Sequence, residues 1–161
     1  MAEQLERDHD AGRLKRPVVV ALFGGEEMGL CGSRQFAAVL ESRHPPLARP
    51  LNAVNVDGVG SGGDTVYLIG RSYYSALLPP FQKALAGSGL TLGRDIDRFA
   101  YPEGSDHWPL HRAGIPAVSV FSADYRAMNT PRDTLDKVDV AHLRKLARVV
   151  YRMVRELAGK K

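Results

Sequence analysis

A run of six apolar residues, Val18-Val19-Val20-Ala21-Leu22-Phe23, stops at Gly24-Gly25-Glu26-Glu27 and is followed from Leu30 by helix-forming sequence. No other stretch constrains the fold so strongly. Six consecutive apolar residues with three valines predict a strand buried on both faces, of the kind found in α/β sheets whose ligands gather beyond the carboxyl ends of the strands. The glycines and the acidic pair then fall at such an end. Neighbouring side chains on extended chain point apart, so Glu26 and Glu27 need not do the same job. Two ionised carboxylates there need a cation, a proton or water to relieve their repulsion.

The remaining elements follow from the same reasoning. Residues 2–12 are charged and helix-compatible, and predict a short surface helix or a frayed end. Leu30, Phe36, Ala37 and Leu40 give a helical stripe that ends at His44-Pro45-Pro46, where His44 reads as a surface loop residue. Residues 51–57 and 65–70 predict two strands, the first ending in Asp57 and a glycine-rich loop. Residues 73–86 read as helical with a kink or split at Pro79-Pro80, and Thr91-Leu92 as a short edge strand. Ser105 or Asp106 caps a short helix through His111, residues 115–121 form a further strand, and Asp139 caps a terminal helix with an apolar face from Leu143 to Leu157. Alternating strands and helices in 161 residues, with 44% hydrophobic content, predict one α/β domain with a single core.

Composition removes several function classes. The net charge of +4 comes largely from lysine and arginine near the two ends, with no basic patch interleaved with aromatics, so nucleic-acid binding is not expected. A lone cysteine, Cys31, excludes an internal disulfide and a multi-cysteine zinc site; it reads as buried filler on the first helix rather than as a nucleophile. Ser33, Ser61 and Ser105 lack the Gly-x-Ser-x-Gly elbow of a serine hydrolase. The glycine turns lack both Rossmann and Walker spacing. No apolar run reaches membrane-spanning length and the charged start lacks the apolar centre of a secretory signal, which leaves the cytoplasm as the default expectation.

What remains is acid chemistry. If the strands ending at residues 23 and 57 are parallel neighbours, Glu26, Glu27 and Asp57 share one mouth, where hard carboxylates suit zinc, manganese or magnesium; the alternative is three solvated loop acids. His107 and His111 follow the Asp106 loop and are the histidines expected nearest this mouth, whereas His142 reads as flanking a surface helix start.

At these residues the sequence resembles the zinc-dependent aminopeptidases of peptidase family M28. The matching pieces are Phe23-Gly24-Gly25-Glu26-Glu27-Met28-Gly29-Leu30-Cys31-Gly32-Ser33 with Phe36, Asn55-Val56-Asp57-Gly58-Val59-Gly60, Gly104-Ser105-Asp106-His107-Trp108-Pro109-Leu110 with Gly114-Ile115-Pro116, and Asn129-Thr130-Pro131-Arg132-Asp133-Thr134. The resemblance runs from residue 17 onward and implies a three-layer α/β/α sandwich of the zinc-exopeptidase kind, with a mixed central sheet and a charged segment over residues 1–16. It also implies two zinc ions, hydrolysis of the first peptide bond of a peptide or amino-acid derivative, Glu26 as the general base, and Glu27 and Asp57 as ligands of different zincs. Ser105, Asp106 and His107 are then placed beside the ligands or on the substrate side.

Three features depart from the family pattern. The family's metal-binding His-x-Asp motif and its bridging aspartate have no counterpart before residue 17. Asn129 stands where a late histidine ligand is expected, and an amide oxygen is a weaker zinc donor than imidazole. The expectation is therefore a truncated or degenerate member, with catalysis impaired or absent in this chain alone. The runner-up readings are a non-catalytic interaction or structural remnant, and a fragment that needs a second chain for its ligands. A sheet lacking early strands would leave an apolar edge beside residues 17–23 and favour self-association.

Overall fold

The computed structural model describes residues 1–43, 51–61, 63–98, 104–122 and 126–159. Helix α1 (Ala2–Asp10) precedes α2 (Cys31–Arg43), then strands β1 (Ala53–Val56) and β2 (Thr65–Ile69), helix α3 (Leu78–Leu85), the short β3 (Thr91–Leu92), α4 (His107–Arg112), β4 (Ala117–Phe121) and the long α5 (Val140–Gly159). Short 3-10 turns at Ser75–Leu77 and Leu135–Lys137 lead into α3 and α5. The prolines expected to kink a helix lie in the first turn of α3, where no backbone donor is needed.

The strands form one mixed sheet in the order β1-β4-β2-β3. β1 and β4 run parallel with Asn55 opposite Ser119, while β2 runs antiparallel to β4 with Ile69 opposite Ser119. Because side chains alternate along a strand, Val118 and Val120 face one layer and Ala117 and Ser119 the other. The first face joins Val66 and Leu68 to Phe81 of α3 and Leu146, Val149 and Met153 of α5 in the main core. The second carries a smaller cluster of Ala37, Leu110, Ile115 and Ala117, with Phe36, Leu40 and Ala53 packed against it from α2 and β1. The result is the expected three-layer sandwich with a mixed central sheet, and its second face holds the site.

Three expectations are corrected. Residues 17–23 are in no strand: they form no backbone hydrogen bond among the described residues, and Val19 and Leu22 are 76% and 95% exposed. Apolar content reports a demand for burial, but a strand also needs a neighbouring backbone, and none of the four strands pairs with this segment. Cys31 is exposed rather than buried, its thiol 3.3 Å from the Met28 carbonyl. His142 is buried although it lies in the first turn of α5; its Nε2 is 2.9 Å from the Ser122 hydroxyl, whose backbone N–H donates to Gly58. Helix α1 is the short surface helix rather than a frayed end, and it is anchored on its inner side: Leu5 packs with Leu14 and Ala158, and Asp8 is buried against the C-terminal helix. His44 and the stretch 99–103 lie outside the described residues.

Candidate active site

The site begins with the period of a β-strand. Ala53, Asn55 and Asp57 share the side of β1 that faces α2 and α4, so the apolar layer becomes polar toward the carboxyl end of the strand. The Asn55 amide donates to Ser119 Oγ at 3.1 Å across the parallel pair and to Ser105 Oγ at 2.7 Å. Ser105 in turn donates to Asp57 Oδ2 at 2.6 Å, and the Gly58 N–H donates to Asp57 Oδ1 at 2.7 Å. Both Asp57 oxygens therefore accept a hydrogen bond and the carboxylate is held in a fixed orientation.

A second arm comes from the glycine loop and α2. The N–H groups of Gly29 and Leu30 donate to the Glu26 carbonyl, and that of Cys31 to Gly25, closing a tight turn in which Leu30 takes a positive φ of 61°. Gly32 fits this turn closely: a Cβ there would meet the Gly24 carbonyl at 2.7 Å. The turn leads into Ser33, which is fully buried and donates to Asp106 Oδ1 at 2.5 Å. Asp106 occupies the N-cap position of α4 without a side-chain capping bond, because its carboxylate is turned toward α2 instead.

These two arms bring Glu26 into an acidic mouth. Burial raises the Glu26 pKa above the ordinary carboxylate range, and the negative charges of Asp57, Glu27 and Asp106 raise it further, in that order. An elevated carboxyl pKa is what a group that accepts and returns protons near neutrality requires. The arrangement is also a cost to the fold. Glu26→Gln removes one charge from the cluster while keeping the side-chain shape, so it is expected to leave the fold intact and raise its stability slightly, by less than about 1 kcal/mol after solvent screening. A urea melt of the two proteins measures this; a clear loss of stability in the variant would contradict the repulsive arrangement.

The histidines separate. His107 is buried at the start of α4; desolvation and the neighbouring His111 depress its pKa to about 4 despite Asp57, Asp97 and Asp106, so it is neutral at physiological pH. Its Nδ1 is buried with no hydrogen-bond partner among the described residues. His111, one helical turn on, faces an aromatic pocket: it stacks on Trp108 at 4.6 Å, meets Tyr73 and Tyr74 edge-on, and its Nδ1 lies 2.6 Å from the Tyr74 hydroxyl. Asp97 closes that pocket, its carboxylate taking the N–H groups of Gly70 at 2.9 Å and Ser72 at 2.7 Å.

The structure thus gathers Glu26, Glu27, Asp57, Ser105, Asp106 and His107 around one mouth. Glu27 is exposed, and Asn129 sits in an exposed turn at φ 57°. Sequence reasoning passed over Asn55, Ser33 and Ser119. Asn55 was the findable one, since it shares Asp57's face two residues earlier, whereas the Ser33–Asp106 link joins residues 73 positions apart.

A zinc site with a stable protein ligand set needs three or four nitrogen, sulfur or oxygen donors, and two adjacent ions need a bridge as well. Among the described residues no group of three His, Cys, Asp or Glu side chains is placed to hold a metal ion. With no such group among the described residues, these donors do not fit a dinuclear zinc centre.

Comparison with known proteins agrees with this architecture. The family model described as peptidase family M28 matches residues 1–154. A protein of Arthroderma otae described as a "Probable leucine aminopeptidase" is 31% identical over 140 residues, which make up 84% of this chain and 38% of that protein. A zinc aminopeptidase from Bacillus subtilis superimposes with a TM-score of 0.66 at 25% identity, covering 86% of this chain and 35% of its own. An aminopeptidase from Aneurinibacillus sp. strain AM-1 superimposes with a TM-score of 0.65 at 30% identity, covering 84% and 32%. The chain therefore spans about a third of the length of these relatives.

Proposed function

The chain belongs to peptidase family M28, and from that premise we propose that it forms the proton-handling side of an aminopeptidase cleft without completing a zinc centre by itself. The observation that carries this reading is the convergence of Glu26 with Asp57, Glu27 and Asp106 at the end of β1, in a donor set that does not fit two zincs. Glu26 is the base: its raised pKa and its place in the mouth suit it to take a proton from a water attacking a scissile carbonyl and return it to the leaving amine. Ser105 and Asn55 orient Asp57, Ser33 orients Asp106, and neutral His107 lines the inner wall. The substrate class is a peptide or amino-acid derivative with a free N-terminus, as the aminopeptidase relatives suggest.

Hydrolysis of an amino-acid anilide such as leucine p-nitroanilide tests the reading. With zinc added, the purified chain is expected to show no chelator-sensitive turnover. Asn129→His is expected to restore little, because one added imidazole supplies neither the further ligands nor a bridge. Robust, chelator-sensitive hydrolysis by either protein would overturn the proposal.

A further inference from the structure

Residues 17–23 present an apolar extended segment that pairs with no strand among the described residues. Val18 packs toward Leu14 and Ala158, and Phe23 meets Phe36 at 5.5 Å, so both ends are anchored. Between them Val19, Val20 and Leu22 are 76%, 52% and 95% exposed, and Met28 stands exposed just beyond. The N–H groups of Lys15 and Arg16 donate to the Ala158 carbonyl, and the next backbone bond is accepted by Gly24 from Gly32; the intervening amides and carbonyls bond to nothing among the described residues. A β-branched segment with free backbone groups and apolar side chains on both faces is a template for another strand.

We propose that the occupant is a second copy of this chain, paired antiparallel through residues 17–23 about a two-fold axis at Val20. Two observations favour that partner. The first is charge. Lys15 and Arg16 precede the segment, and Glu26 and Glu27 follow it. Antiparallel self-pairing sets the basic flank of each copy beside the acidic flank of the other, whereas parallel pairing would set like charges together. Each copy thereby brings cations toward the partner's acidic mouth.

The second observation is register. With the axis at Val20, Pro17 falls opposite Phe23. If those two form a pair without direct hydrogen bonds, the missing proline N–H costs nothing, and the Val20 and Val18–Leu22 pairs carry the bonds.

Sedimentation or light scattering across a broad concentration series tests the proposal, with Val20→Pro as the principal variant. Val20 makes no backbone bond among the described residues, so proline removes a bond only from the paired state. The native chain is expected to be dimeric, Val20→Pro monomeric with an unchanged circular dichroism spectrum, and Leu22→Lys weakened at least tenfold. Val20→Cys combined with Cys31→Ser is expected to form an intersubunit disulfide on oxidation, because Cα atoms facing each other across the axis lie within bridging distance. A monomer at all concentrations, or a dimer that survives Val20→Pro, overturns the proposal; the former would leave the segment for a strand from a different protein.

Discussion

Gly58→Ala is expected to destabilise the fold by about 2–4 kcal/mol, combining the cost of a side chain at positive φ with overpacking of a buried ring. Gly58 follows Asp57 directly and sits at φ 56°. A Cβ there would meet Phe121 Cε2 at 2.3 Å and Cδ2 at 2.6 Å, distances no real methyl group tolerates. The ring has little room to move, since Phe121 is buried at the end of β4. The backbone has no more: the Gly58 N–H holds Asp57 Oδ1 and its carbonyl accepts from Ser122, whose hydroxyl meets buried His142. The strain therefore falls on the residue the site depends on. Urea denaturation measures the effect, and a midpoint equal to that of the native chain would show that the Asp57 turn is not packed as described.

The second large effect is expected at Asp8. Its carboxylate is buried where α1 meets α5, accepting from the Tyr151 hydroxyl at 2.5 Å and from Arg13 at 2.7 Å, with Arg155 at 3.4 Å. The Tyr151 hydrogen bond and the two guanidinium groups lower its pKa below the usual carboxylate value, against the opposing effect of desolvation. A depressed folded pKa gives stability that is present above the unfolded pKa, about 4, and is lost as pH falls through the lower folded value. The native chain should accordingly lose α1 docking in strong acid, while Asp8→Asn should be less stable at neutral pH and flatter with pH. Asp8→Ala should melt earlier than Glu3→Ala on the exposed side of the same helix, and its first residues should become protease-sensitive. Equal melting of the two alanine variants would mean that the buried carboxylate does not hold α1.

How far the sequence foretold the structure depended on whether each signal was local. The strands at 53–56, 65–69 and 117–121 and the Asp139 cap were legible, because alternation and capping are written in adjacent residues; the His142 N–H indeed donates to Asp139 at 2.9 Å. Burial of α1 was not legible: its anchoring partners Tyr151 and Arg155 lie more than 140 residues away. His142 misled for the same reason, since its cover comes from the Ser122 turn rather than from its own helix. Residues 17–23 misled in the opposite direction. Their composition states what they would do beside another strand, and sequence alone does not state whether one is present.

The acidic mouth divides along the same line. Glu26, Glu27 and Asp57 could be read from strand ends and His107 from the loop it follows, and family resemblance added Ser105 and Asp106. The links that orient them, Asn55 to Ser105 to Asp57 and Ser33 to Asp106, required the fold. Those links fix the orientation of Asp57 and Asp106, while among the described residues no three metal-binding side chains converge.

The most direct measurement of this account is the zinc content of the purified chain after loading with excess zinc and exhaustive dialysis, read by elemental mass spectrometry. Well under one tightly held zinc per chain is predicted, unchanged in Glu26→Gln. Two zinc ions per chain retained through dialysis would contradict the central claim, because this chain would then hold a complete centre of its own.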